Sequence, residues 1–379
     1  MRAWAKVGIF FPLLVWAQEY IPTRLVVYDE LIDRFFHITH WSLSGQTARP
    51  DTILYLKVAE NVPPLHRFPN LQALYLSGVE ELDLDALVKE IKKYCPKLRA
   101  LALEDCEIVD ISPLAQLNLQ GLLLDQNPIT DFSPLSRFKN LQFISLAHTG
   151  IRDVSVLGQI PTLQAIDLSE TPVADLSPLR TLSRLRMLVL FRCRELKDLT
   201  PLPNFTNLEL LNISHIHHSV AKDILFQISR LSNLRVLQAQ GVIQDVAILA
   251  AIGTLTQLEE LTIGQNPAIQ DLSFVRLLRR LLYLDVHHSS VRDLSPLAGL
   301  PNLVKLSIGK NQITSLAPLR QCPKLSYLYC YENPIQDWEK LLEIPSLSYV
   351  MLSRNDLPPE RLKSLKAQLQ WKGIKVDIP

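Results

Sequence analysis

The chain repeats itself. DLSPLAGLPNLVKLSIGKNQI at 293–313 and SLAPLRQCPKLSYLYCYENPI at 315–335 align without a gap, and both contain L-x-x-L-x-L-x-x-N/C-x-L. The first leucine of that pattern recurs from Leu71 to Leu347, and the commonest step is 22 residues, as in Leu119, Leu141, Leu163 and Leu185. With a degenerate unit opening near Ile53, this makes about fourteen copies. One copy is too short to bury its own leucines, so copies must stack on each other into a single elongated core with special end pieces.

Each copy has a physical reading. The L-x-L alternation is that of a strand, which sends successive side chains to opposite faces. The leucines point inward and the intervening residues outward. Behind the strand comes a polar position held by Cys106, Asn127, Thr149, Thr171, Cys193, Asn266, Ser289, Asn311, Asn333 and Asn355. An amide there can bond backbone groups that the turn leaves unpaired. Next comes DLSPL or a variant, at 131–135, 175–179, 198–202 and 293–297. Asp or Ser caps a helical turn, and proline suits its first positions because no N–H is needed there. Glycine is scarce at 12 and proline common at 25, as many short, stiff turns require.

Two copies are longer. Residues 81–98 and 218–231 have helical apolar spacing, for example Ile224, Leu225, Ile228 and Leu231, and should carry true α-helices. Around the second, Ile216 and Val242 replace the polar position, which implies a local change of curvature rather than a domain boundary. Residues 18–50 are expected to form an N-terminal cap, 51–357 the repeats, and 358–379 a C-terminal cap of helix and closing strand.

Residues 98–357 resemble the 22-residue leucine-rich repeats of the internalin-like class, whose mark is NxIxDLSPLxxLxxLxxL. The resemblance implies an α/β solenoid: a leucine-rich repeat horseshoe with a parallel concave β-sheet and short 3-10 or α turns on the convex side. It also implies a secreted, protein-binding module of bacterial type. The sequence shows no LPxTG sorting signal, no adhesion modules after the repeats and no hydrophobic tail, so wall attachment and host invasion are not expected. A related resemblance is to intracellular 22-residue repeat proteins such as the regulatory subunit of protein phosphatase 1.

The N-terminus argues for export. Arg2 and Lys6 precede the apolar run Val7–Trp16, and Val15-Trp16-Ala17 places small residues for cleavage before Gln18. Residues 1–17 are therefore expected to be a signal peptide cut near Ala17, placing the mature chain outside the cell or in the periplasm. An uncleaved anchor or an apolar cap strand stays open for this segment, and so does a cytoplasmic location. No other stretch reaches the roughly 18 apolar residues of a spanning helix. The formal net charge is only +1, with no long basic run, which excludes nucleic acid as the main partner.

No catalytic residues and no enzyme activity are expected: there is no Gly-rich phosphate loop, G-x-S-x-G or HExxH. Acidic pairs such as Glu259-Glu260 are expected to be solvated surface. His215, His217 and His218, and again His287 and His288, lack partners at metal-ligand spacing, so no metal or other cofactor is expected. Cys95, Cys106, Cys193, Cys322 and Cys330 all fall at inward positions and should be buried thiols. A Cys95–Cys106 bridge is the one disulfide left open.

The outward strand positions carry the functional expectation. Tyr283, Lys305, Tyr327 and Tyr349 share one column, Asp285, Tyr329 and Met351 the next, and His287 and Tyr331 a third. Five of the ten tyrosines thus gather on one face. Tyrosine offers apolar area and a hydroxyl at little entropic cost, as interface anchors require. These nine residues are the expected partner-binding set, and the partner is expected to be another protein. A glycan stacked on the rings is the alternative ligand, and an intracellular scaffold or effector the alternative role. A second, weaker patch is expected at Phe143, Met187, Val189, Phe191 and Arg192, flanked by Glu104, Asp125 and Asp167.

Overall fold

The computed structural model describes residues 55–58, 62–196, 198–217 and 227–378. The signal-like segment 1–17, the cap over 18–50, Ile53 and most of the helix expected over 218–231 lie outside these residues. The chain forms two compact units. The first comprises the residues up to Ile151 together with Ser155–Asp167, and the second Arg152–Val154 with Leu168 onward.

The first unit is a parallel sheet of β1 (Tyr55–Val58), β2 (Ala73–Ser77), β3 (Ala100–Glu104), β4 (Gly121–Leu123), β5 (Phe143–Ser145) and β6 (Ala165–Asp167), each bonded to the next. The register advances one repeat per strand, so Leu74, Leu101, Leu122, Ile144 and Ile166 form a single inward row, all essentially without solvent exposure.

The second unit continues the pattern with β7 (Met187–Val189), β8 (Leu210–Asn212), β9 (Val236–Gln238), β10 (Glu260–Thr262), β11 (Tyr283–Asp285), β12 (Lys305–Ser307), β13 (Tyr327–Tyr329), β14 (Tyr349–Met351) and β15 (Lys375–Asp377). All are parallel and paired in chain order. Both units therefore have the α/β solenoid architecture that the repeat requires.

Across the core from the sheet, the DLSPL segments make 3-10 turns, such as Ser133–Arg137, Ser177–Thr181 and Ser295–Leu297, with proline second. The preceding aspartate accepts the backbone N–H of the serine two residues on, at 2.8 Å for Asp131, 2.7 Å for Asp175 and 2.8 Å for Asp293. These bonds, to serine N–H and hydroxyl, hold the Asp131, Asp175 and Asp293 carboxyls below their ordinary range.

The helix expected over 81–98 is α1 (Leu84–Tyr94), capped by Asp83, which accepts from Ala86 N–H at 2.9 Å. It buries Leu84, Leu87, Val88 and Ile91 along one stripe. Besides the short α2 (Ser155–Gly158), α3 (Ala247–Gly253) was not foreshadowed, because its AILAAIG stretch is apolar nearly throughout and shows no clear period. The last elements of the chain are α4 (Pro359–Trp371) and β15.

Where asparagine holds the polar position behind a strand, it is a ladder rung. Asn311 Nδ2 donates to the carbonyls of Val286 at 2.9 Å, Ile308 at 3.0 Å and Gly309 at 3.2 Å, while its Oδ1 accepts from Val291 N–H at 3.0 Å. Asn127, Asn266 and Asn333 repeat the arrangement. Cys193 sends its thiol to the equivalent carbonyl, that of Leu168, at 3.0 Å. Thr171 reaches the carbonyl of Leu168 within its own copy at 2.6 Å.

Asn355 departs from expectation: it is exposed, and the neighbouring Asp356 instead accepts backbone N–H groups, from Glu332 at 2.7 Å and Ser353 at 2.6 Å. At the residue before each rung the backbone is left-handed, from Gly78 and Asp105 through Gln126, Lys310 and Glu332, with φ between 51° and 64°. That turn aims its N–H at the next copy, as in Lys310 N–H to Tyr331 carbonyl at 2.9 Å, and so extends the sheet ladder past the strand.

All five cysteines are buried free thiols, so the Cys95–Cys106 bridge is not formed. Burial pushes the Cys95 and Cys322 thiols up to about 11.

Candidate functional site

The expected anchors assemble on the open face of the second unit's sheet. Register pairs Tyr283 with Lys305, Lys305 with Tyr327, and Tyr327 with Tyr349. The adjoining column runs Asp285, Ser307, Tyr329 and Met351. The Tyr329 and Tyr349 rings lie 5.5 Å apart, and those of Tyr327 and Tyr349 6.1 Å. Tilted ring pairs at these distances hold each other in place beyond their area burial. The Tyr349 hydroxyl donates to Asp377 at 3.2 Å.

Small residues set the large ones. A Cβ on Gly309 would fall 2.5 Å from the Tyr331 ring, and one on Gly264 would fall 2.5 Å from His287. Each ring lies over the glycine of the preceding copy. Tyr331 is thereby laid along the sheet and presents its other face outward.

His287 is fixed a second time by Asp285, whose Oδ1 is 2.8 Å from Nδ1 and accepts the His287 backbone N–H at 3.0 Å. Burial alone would lower the His287 pKa. The Asp285 hydrogen bond and charge outweigh it and leave the imidazole above its ordinary value. Gln240 Nε2 donates to the other Asp285 oxygen at 3.1 Å.

At the centre lies Lys305. Its ammonium sits 4.2 Å from the Tyr283 ring centroid and 5.3 Å from that of Tyr329, a double cation–π contact. Only 9 % of the residue is exposed, and burial draws its pKa down to about 8 against the opposing pull of Asp285 and Glu260. Burial also pushes the Tyr329 hydroxyl up to about 12, so this phenol is a neutral donor at physiological pH.

Outward orientation did not guarantee exposure. Tyr349, Asp285 and Lys305 are buried by their lateral neighbours, whereas Tyr283, Tyr327, Tyr329, Tyr331, His287 and Met351 remain half-buried. The weaker patch changes most. Phe143 in the first unit is 1 % exposed, and Met187 and Val189 in the second are 0 % and 3 % exposed, so none of the three is free to dock a partner. Strands one repeat apart bring same-column side chains into contact, and apolar neighbours close over one another. Only Phe191 and Arg192 reach solvent. Arg192 lies 4.9 Å over the Phe191 ring, and His215 meets that ring edge-on at 5.7 Å.

The acidic residues expected beside that patch form one array, and a second array was not legible beforehand. On the first unit's sheet face, Tyr75 donates to Glu104 and Ser145 to Asp125 at 2.5 Å. Burial, then the charges of Glu104 and Asp167, hold the Asp125 carboxyl well above its ordinary range. In the second unit an alternating row runs Arg186, Glu209, Arg235, Glu259. Arg186 Nε donates to Glu209 at 2.7 Å, and Arg235 grips Glu259 with two bonds of 3.0 and 2.9 Å. Arg186, Glu209 and Arg235 of this row line a polar groove of about 360 Å³ with Asn207, Asn233 and Gln257. Glu259 and Glu260 are thus not solvated surface: one is in the ion-pair row and the other is 4 % exposed on the opposite side. Among the described residues, no three His, Cys, Asp or Glu side chains are grouped to hold a metal, and no helix is long and apolar enough to cross a membrane.

The model for leucine rich repeats (2 copies) matches residues 279–321, which span the Tyr283–Lys305 part of this face. Among solved structures, an internalin (InlF) from Listeria monocytogenes is 25% identical over 79% of this chain and 87% of its own, with a TM-score of 0.60. A leucine-rich repeat protein of Leptospira interrogans is 22% identical over 86% of this chain and 96% of its own, with a TM-score of 0.58. The functional domain of InlJ from Listeria monocytogenes, which includes a cysteine ladder, is 18% identical over 80% and 74%, with a TM-score of 0.50. No curated protein sequence matches the chain. Fold and repeats together define a leucine-rich repeat protein. Its repeats are of the internalin-like, 22-residue type.

Proposed function

We propose that this chain is a non-enzymatic binding module that docks another protein on the tyrosine-lined face of the second unit's sheet. The observation that carries the reading is the fixing of Tyr331 over Gly309 and of Tyr329 against Tyr349 before any partner arrives. Rings already held in place lose little freedom on docking, so more of the contact energy appears as affinity. The signal-like residues 1–17 support a secreted or periplasmic site of action, and N-terminal sequencing of the mature protein tests that part: a chain beginning at Gln18 is expected, and an intact Met1 overturns it.

The docking reading is tested by affinity capture from the protein's native surroundings with wild type, Tyr329→Ala and Tyr331→Ala as parallel baits. A protein retained by wild type and lost from both variants is expected, while the variants melt within a few degrees of wild type. Identical capture by all three baits overturns the tyrosine face. A glycan array probed with the same baits separates the sugar alternative.

A further inference from the structure

Lys305 is the least satisfied charged group on this face. Its ammonium has three donors. Among the described residues no carboxylate lies within 4.0 Å of it and no side chain or carbonyl accepts from it; its near contacts are the Tyr283 and Tyr329 ring faces. The two carboxylates that raise its pKa are placed elsewhere. Asp285 spends one oxygen on His287 and the other on Gln240. Glu260 stands on β10, two strands from Lys305, with Tyr283 between them in register. A lysine buried along its length, with aromatic walls and ammonium donors left to solvent, is a socket for an acceptor that the chain does not supply.

Building on the tyrosine-face reading, we infer that the partner protein places the carboxylate of an aspartate or glutamate side chain on Lys305, flanked by the Tyr283 and Tyr329 rings. A single cation calls for a single negative charge. The nearby Glu260 and Asp285 carboxylates would repel a phosphate dianion more strongly than a carboxylate. The other charges on this side are the Lys310–Glu332 pair, 3.7 Å apart and self-compensating, His287, which is tied to Asp285, and Lys375 with Asp377 on β15. Lys375 lies 5.9 Å over the Tyr349 ring, three strands from Lys305, and stands next to the column of Asp377, so it is a separate cation and not part of the Tyr283–Tyr329 socket. Docking requires the protonated lysine, so affinity is full below the Lys305 pKa of about 8 and falls as pH rises through it.

The test uses the full chain and synthetic peptides selected from a random-peptide phage library, each made in a Glu (or Asp) form and a Gln (or Asn) form. Selected sequences are expected to carry an acidic residue beside an apolar one, and its amide form to bind at least about tenfold more weakly. Lys305→Met should erase the difference between the two forms, and Lys305→Arg should keep binding while removing its decline between pH 7 and 9.

Tyr331→Ala is the control that separates the two ideas. Peptides that bind Tyr331→Ala as tightly as wild type overturn the tyrosine-face reading itself. Peptides that need Tyr331, show no acidic preference and bind Lys305→Met unchanged overturn only the Lys305 socket. Binding confined to uronate- or sialate-bearing glycans overturns the assignment to a protein carboxylate. A thermal melt of each variant, with retained Tyr331-dependent binding, excludes unfolding as the cause.

Discussion

Asn311→Ala measures what a ladder rung is worth. In the native chain this one side chain makes four bonds at 2.9–3.2 Å, three given and one taken. Truncation strands the buried Val291 N–H, at about 2 kcal/mol for an unmet buried donor. It also removes a net contribution of roughly 1 kcal/mol from the two amide hydrogens shared among three carbonyls. The expected loss is therefore about 3 kcal/mol, concentrated where residues 286–291 and 308–313 meet. Hydrogen exchange followed by mass spectrometry reads this locally. At about 1.4 kcal/mol per tenfold, peptides covering 283–313 should exchange roughly 150 times faster, with distant repeats much less affected. Thr149→Val is the calibrating comparison, because it removes a single hydroxyl bond, to the Leu146 carbonyl, and should cost about 1 kcal/mol. Equal effects of the two substitutions, or an Asn311→Ala acceleration below about fivefold, would refute the four-bond account.

Gly309→Ala should displace the Tyr331 ring, since the added Cβ meets three ring atoms within 2.8 Å; partner affinity should fall as far as in Tyr331→Ala, with a change in melting temperature of only a few degrees, and wild-type affinity would refute the platform. Asp293→Ala should lower stability at neutral pH by roughly 0.5–1 kcal/mol. Because the Asp293 carboxyl titrates below its ordinary value in the fold, its contribution is present above the unfolded carboxylate pKa and fades as pH falls through the folded one. Urea titrations at neutral and acid pH should therefore converge, and a gap that persists in acid contradicts the assignment. Ellman's reagent should find no reactive thiol in the native chain and five after denaturation; rapid native labelling would show that the cysteines are not enclosed as described.

Much of the fold was legible because two periods act together. Alternation by two decides which face Leu306 or Leu328 occupies, and the 22-residue step decides which residue stands beside it. Hence the column Tyr283, Lys305, Tyr327, Tyr349 could be written down from sequence and is the observed register. Exposure was not legible. Period tells that Met187 and Lys305 leave the core face but not that their neighbours cover them, which depends on side-chain volumes in adjacent columns. The role of Asp356 was missed because a template read by position stops at Asn355, while the carboxylate one residue on captures the Glu332 and Ser353 N–H groups. The Arg186–Glu209–Arg235–Glu259 row was missed because its members stand more than twenty residues apart in pairs, and a scan for local charge runs sees only scattered ions.

The left-handed residue before each rung separates two kinds of selection. Ten of the twelve residues from Gly78 to Glu332 that hold this backbone are not glycine. Each side chain there costs on the order of 1 kcal/mol against a glycine in the same conformation, less the extra freedom glycine gains in the unfolded chain. Within each unit that edge is thus a row of independent dials for heat tolerance, spaced one per strand and set apart from the strand columns of the proposed docking face. Thermostability can drift along it, residue by residue, while those columns are inherited unchanged.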